Sequence, residues 1–231
     1  MGLRINTNVP SLTAQRTLGN TNSAQAKSLN KLSTGTRIVR SADDAAGLAI
    51  SEKLKAQVRS NRQAQRNAND GISMIQTAEG GLSETSSILI RLRELAIQAA
   101  SDTVGDTERG YTDLEYQALK EEVERISQVT EFNGKKLLNG EGGQYDIQVG
   151  INNDEFEDRV SYDSTLNNST ASNLGIDGLS VASKEDAQGS LEQIDGAISA
   201  IAEQRATLGA SQNRLTSTIS NLQVTNENLS A

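Results

Sequence analysis

The chain has 231 residues, a formal charge of −8, no Cys, no His, no Trp and a single proline, Pro10. Disulfides, thiolate chemistry, histidine acid–base catalysis and the usual zinc sites are thereby excluded. Aromatics make up only 3 % of the residues, so Ala, Leu and Ile must supply the packing, which suits close helix–helix contact better than a wide core.

Residues 1–10 read as irregular. The start, Met1-Gly2-Leu3-Arg4-Ile5-Asn6, has no apolar run or small-residue cleavage site, and Asn6 breaks the myristoylation pattern. No stretch approaches membrane-spanning length, so no membrane partner is expected. Ser11 is placed as the cap of a helix to about Lys31, with Leu12, Leu18, Leu29 and Leu32 as a sparse apolar set. Ser33-Thr34-Gly35-Thr36 interrupts it. Ser41 or Asp43 then caps a long helix from about Asp44 to Glu79, and Gly80-Gly81 is expected to break it.

A second stripe runs through Leu82, Thr85, Leu89, Leu92, Ala96 and Ala99. Asp102 to Gly110 reads as a loop, and Leu119, Val123, Ile126 and Val129 mark a further helix ending before Phe132-Asn133-Gly134. Residues 139–180 become rich in Gly, Asn, Asp and Ser. There Tyr145–Val149 alternates with the period of a half-buried strand, and Val160-Ser161-Tyr162 is a second strand candidate.

The last helix carries the strongest period. Leu191, Ile194, Ile198, Ile201, Arg205, Leu208, Gln212, Leu215, Ile219 and Leu222 follow threes and fours for more than four heptads. This predicts a seam that the upstream helices fill by folding back. The fold class expected is mainly α: an elongated antiparallel helical bundle with coiled-coil packing and a small inserted β-region. The domains expected are an N-terminal segment 1–42, a helical core domain of 43–141 and 181–231, and the β-region 142–180.

Charge is uneven. Residues 1–66 carry eleven basic side chains against only Asp43, Asp44 and Glu52. With no aromatics for base stacking and no motif, nucleic acid is not an expected partner. The alternatives are a solvated helix face and complementary ends of neighbouring subunits. Asp154, Glu155, Glu157 and Asp158 lack the spacing of a calcium loop, and Gly140-Glu141-Gly142-Gly143 lacks the strand–helix setting of a phosphate site. Arg205 in the apolar seam is expected to pair with a carboxylate of another helix. No metal, cofactor or nucleophile–base pair is expected, and the chain is read as a non-enzyme.

Specific runs go further than periodicity. Leu3-Arg4-Ile5-Asn6-Thr7-Asn8, 29–38 (LNKLSTGTRI), 42–50 (ADDAAGLAI) and 70–80 (DGISMIQTAEG) closely resemble bacterial flagellins. So do 91–96 (RLRELA), 130–134 (TEFNG), 205–210 (RATLGA) and 212–215 (QNRL), in the family's order over nearly the whole chain. The resemblance implies a structural subunit of the extracellular flagellar filament. It would be exported unfolded by the flagellar type III machinery and polymerised with other copies, its first helix in the filament's inner tube. It further implies that a host Toll-like receptor recognises the core domain, through positions that align with Arg91, Leu95 and Glu115. Arg91 and Leu95 lie four apart, on one helix face. Family members are also often O-glycosylated, here on Ser161, Ser164, Thr165, Ser169, Thr170 or Ser172.

The chain stops at Ala231, where the resemblance places a C-terminal partner for the first helix. The expectation from the sequence is therefore mobile residues 1–40 and impaired filament growth by this chain alone. A related hook–filament junction protein is the runner-up. A flagellin carrying a zinc protease is excluded by the absence of histidine. A free-standing coiled-coil adaptor would instead fill the 191–222 seam between chains.

Overall fold

The computed structural model describes residues 8–230. They divide into two compact units, parted between Gln57 and Val58.

In the first unit, α1 spans Val9–Thr34. It starts earlier than Ser11 because Asn8 is the cap: its Oδ1 accepts from Ser11 N–H at 3.2 Å, and Pro10 sits in the first turn, where a missing N–H costs nothing. Gly35, at φ 67°, closes the helix in the left-handed conformation. No residue of α1 is buried, and Leu12, Leu18, Leu29 and Leu32 are all exposed. The Asp43 carboxylate pairs with Lys27 and accepts from Val39 N–H, and Lys27 above all holds its carboxyl below the usual range. Asp43 is thus spent on tying down the connecting segment. Asp44 caps the next helix instead, accepting from Gly47 N–H at 2.9 Å, in place of the expected Asp43 or Ser41.

α2 runs unbroken over Ala45–Ala99, straight through Gly80-Gly81. The expected break is absent because Gly81 serves packing, not chain reversal. A Cβ there would lie 2.7 Å from Leu138 Cδ1 and 2.8 Å from Thr130 Oγ1, whereas at Gly80 it would meet open space. The two glycines should respond oppositely. Gly80→Ala should stabilise the chain by about 0.5–1 kcal/mol through helix propensity alone. Gly81→Ala should destabilise it by about 1 kcal/mol or more, because overpacking outweighs the same gain. Urea midpoints moving in the same direction for both would contradict this.

α3 spans Asp106–Val129, so the loop before it is shorter than expected. Gly105 offers no capping side chain, and Asp106 and Glu108 complement the helix N-terminus electrostatically. Arg109, one turn in, is buried. Its Nε donates to Ala99 O at 2.8 Å, its Nη2 to Ser101 O at 2.9 Å, and its Nη1 to Asp106 Oδ1 at 2.8 Å. A single guanidinium thereby satisfies carbonyls at the end of α2.

Asn133-Gly134, with φ of 50° and 74°, forms a two-residue hairpin turn between β1 (Glu131–Phe132) and β2 (Lys135–Lys136). β3 (Gln144–Gln148) and β4 (Arg159–Asp163) pair antiparallel with Tyr145 opposite Tyr162, their rings stacked at 6.2 Å. Tyr162 is buried and its hydroxyl donates to Leu137 O at 2.7 Å.

α4 covers Lys184–Ser230. It runs antiparallel to α2: Arg205 pairs with Glu79 at 3.9 Å, Arg93 with Asp195 at 2.6 Å, and Lys184 with Asp102 at 2.7 Å. α2 and α3 are antiparallel too, joined by Arg91–Glu115 at 2.9 Å. The second unit is therefore a mainly α antiparallel bundle with a small inserted β-region, the fold class the sequence predicts. Its core draws on Leu82, Leu89 and Leu92 of α2, Tyr116 and Val123 of α3, and Ile194, Ile201 and Leu208 of α4.

Candidate assembly and recognition surfaces

The seam of α4 has a sharper register than its hydrophobic residues indicate. Ile194, Ile201, Leu208 and Leu215, seven apart, are fully buried. Leu191, Ile198, Arg205, Gln212, Ile219 and Leu222 are only half-buried and flank them. Ala187 continues that row one heptad earlier, and the second deep row consists of Ser190, Ala197 and Gln204, three residues after or four before the first row. Small side chains in that row let α4 approach its neighbours closely, at the cost of a weaker hydrophobic signal. Gln204 enters the core by donating to Asn168 O at 3.0 Å. Arg205 faces Glu79, the carboxylate partner expected of it. Burial pushes the Tyr116 hydroxyl up to about 12, so it stays neutral inside the bundle.

A second buried cation, Lys120, donates to Gln117 Oε1 at 3.0 Å and to Leu179 O at 2.9 Å, and also reaches Asp177 O. It ties the segment that leads into α4 onto α3. Nothing in the helical period singles out Lys120 or Arg109, since a charged residue there reads as surface.

Of the three residues that the resemblance implies for receptor contact, Arg91 and Glu115 are exposed and bonded to each other. Arg91 Nε and Nη2 donate to Glu115 Oε1 at 3.0 and 2.9 Å, and Nη1 donates to Glu94 Oε2 at 3.0 Å. Glu115 first, then Glu94, raise the pKa of the Arg91 guanidinium. Leu95 is only 2 % exposed and belongs to the core. It therefore does not share an exposed face with Arg91, because a four-residue step also spans the edge between the buried stripe and the surface. The same two helices expose Ile90, Ile97, Tyr111 and Leu114, which the sequence reading did not single out.

The hydroxyls expected to be open to modification divide in the same way. Ser164 and Ser169 are fully buried, their hydroxyls bonded to Leu137 O at 3.3 Å and Leu138 O at 3.4 Å, so neither is open to a glycosyltransferase. Ser161, Thr165 and Ser172 are exposed. The acidic cluster is absorbed by its own loop. Asp158 accepts from Asp154 N–H at 2.9 Å and Asn152 N–H at 3.3 Å, and Asp154 accepts from Phe156 and Glu157 N–H, both at 2.9 Å. Among the described residues no group of three or more candidate ligands surrounds a metal position, and no helix is long and apolar enough to cross a membrane.

Comparison with known proteins matches residues 5–142 to the bacterial flagellin N-terminal helical region and 191–231 to the bacterial flagellin C-terminal helical region. A flagellin of Halalkalibacterium halodurans is 45 % identical over 98 % of this chain and 82 % of its own length. A flagellin of Bacillus subtilis is 39 % identical over 99 % of this chain and 85 % of its own. The crystal structure of Bacillus cereus flagellin superposes with a TM-score of 0.61 at 32 % identity, over 72 % of this chain and 95 % of that one. A putative flagellar hook-associated protein of Vibrio parahaemolyticus reaches 0.69 over 83 % of this chain and 97 % of that one, but at 16 % identity it shares the fold alone. Matched at both helical regions and along nearly all of its length, this chain belongs to the bacterial flagellin family.

Proposed function

We propose that this flagellin is exported unfolded through the flagellar type III machinery and polymerises with its own copies into the extracellular filament that drives motility. Membership of the family makes it a structural component of the flagellar filament and not an enzyme. The observation that carries the assembly reading is the contrast between α4 and α1. The α4 seam is covered within the chain, whereas α1 is a 26-residue helix with no buried residue and four exposed leucines. A helix of that kind draws its stability from a covered apolar face, and other subunits supply one in a tube. Fluorescently labelled chain incubated with flagellin filament fragments should sediment with them and appear as labelled segments grown from their ends. Label left wholly in the supernatant would overturn the reading.

Recognition by a host Toll-like receptor is the finer reading of the α2–α3 face. The Arg91–Glu115 pair supports it, standing exposed beside Tyr111 and Leu114, since arginine and aromatic side chains together are common anchors of binding energy. Arg91→Ala should weaken receptor activation about tenfold, the equivalent of ~1.4 kcal/mol. Leu95→Ala should act through bundle stability instead. A full response from the Arg91→Ala, Glu115→Ala double variant in a reporter-cell assay would remove these residues from the contact.

A further inference from the structure

The second unit carries opposite charge at its two ends, and only one of them has a structural reason for it. At one end lie the α2–α3 loop and the N-termini of α3 and α4, with Asp102, Asp106, Glu108, Glu185 and Asp186 all exposed. Among the described residues only two cations answer them, Lys184 on Asp102 and the buried Arg109 on Asp106. These carboxylates complement helix N-termini, and Asp186 exchanges hydrogen bonds with Ser183 as a capping pair. Glu108 and Glu185 have no cation partner among the described residues.

At the other end, Arg59, Arg62 and Arg66 occupy one face of α2 at steps of three and four. All three are exposed, and no ion pair among the described residues involves any of them. Arg66 binds only the neutral Gln63, at 3.1 Å through Nε. Like charges at this spacing weaken a helix, so the stripe is not there for α2 itself. Nor does the acidic end of the same molecule answer it. Arg62 and Ala99 are 37 residues apart on one continuous helix, about 55 Å at 1.5 Å per residue, several Debye lengths at physiological salt.

We propose that the Arg59–Arg62–Arg66 face docks on the Glu108–Glu185 end of a second copy of this chain. The inference rests on the self-assembly reading and specifies one of its contacts. A patch at one end meeting a different patch at the other is a heterologous contact, which propagates without limit when the operation does not close and so builds a filament instead of a dimer. Complementary charge at its rim sets register and speeds encounter, and salt screens it.

The test uses the full chain and two variants, Arg59→Glu/Arg62→Glu/Arg66→Glu and Glu108→Lys/Glu185→Lys, each first shown by circular dichroism to keep the wild-type helix content. Sedimentation velocity at low and high salt reads self-association. The wild type should associate at low salt and lose about tenfold in apparent affinity at 0.5 M NaCl. Each variant alone should lose association by a similar factor, and an equimolar mixture of the two should recover it to within about threefold of wild type, because in alternating copies the reversed arginine face meets the reversed carboxylate end and the native arginine face meets the native carboxylate end. The combined variant carrying both reversals should recover association to within about threefold of wild type. Association that survives the arginine reversal, or a combined variant no better than its parents, would overturn the contact alone. Arginine reversal that leaves self-association intact but abolishes binding to a DNA duplex would overturn it in favour of nucleic acid. Absence of association by the wild type at any salt concentration would overturn the self-assembly reading, and this contact with it.

Discussion

Ile201→Asp is expected to cost about 4–6 kcal/mol, lost burial plus an unpaired carboxylate inside the bundle. Ile201 is fully buried at the middle of the α4 seam, with Ile194 and Leu208 seven residues to either side. Ile198→Asp, three residues away, should cost less than half as much. Ile198 is half-buried at the seam's edge, where a carboxylate can turn to water. A chain of this size shifts its melting midpoint by roughly 2–4 °C per kcal/mol, so the Ile201 variant should melt more than about 10 °C below wild type and the Ile198 variant well above it. Equal melting of the two variants would show that the deep row has been misplaced.

Arg109→Met should be the second large effect, about 2–4 kcal/mol. Methionine preserves the buried stem and removes the guanidinium. Ala99 O and Ser101 O then lose their donor at a place where water reaches poorly, and a buried acceptor left unmade costs more than a hydrogen bond gains. Arg109→Lys should recover only part of the loss, since one ammonium cannot span both carbonyls with the geometry of a planar fork. Urea unfolding of the three proteins decides it, and a methionine variant as stable as wild type would show that the α2 terminus is held by other contacts.

These two positions also mark where sequence and structure part. Ile201 is legible because an apolar residue at heptad spacing has few other places to go. Its small companions, Ala187 in the same row and Ser190 and Ala197 in the second, are not, since small residues contribute little to any hydrophobic period. The larger Leu191 and Ile198 therefore draw the predicted seam to one side of the true one. Arg109 and Lys120 are invisible for the opposite reason. Their partners are backbone carbonyls brought close by the fold, and carbonyls leave no mark in a sequence. Gly80-Gly81 reads as a break because glycine serves two purposes, and only the neighbouring Leu138 and Thr130 reveal which one Gly81 fulfils.

The β-region was more open to reading. Alternation from Tyr145 to Val149 fixes which side chains face inward, and the β3–β4 register follows from it. The candidate recognition residues came from resemblance, which supplies positions without exposure. Arg91 and Glu115 prove to be one ion pair joining two helices, and Leu95 one residue of the core.

α4 closes a bundle within its own chain and leaves assembly to the outer faces. Light scattering coupled to size exclusion tests it most directly, with the full chain at micromolar concentration in 0.5 M NaCl, where contacts between surface charges are screened. A single species at the 24.6 kDa of one chain is expected, with the helix content of the closed bundle. A discrete dimer or trimer of the same helix content, persisting at that salt and dissociated by Ile201→Asp, would show that the seam is filled between chains and would contradict it.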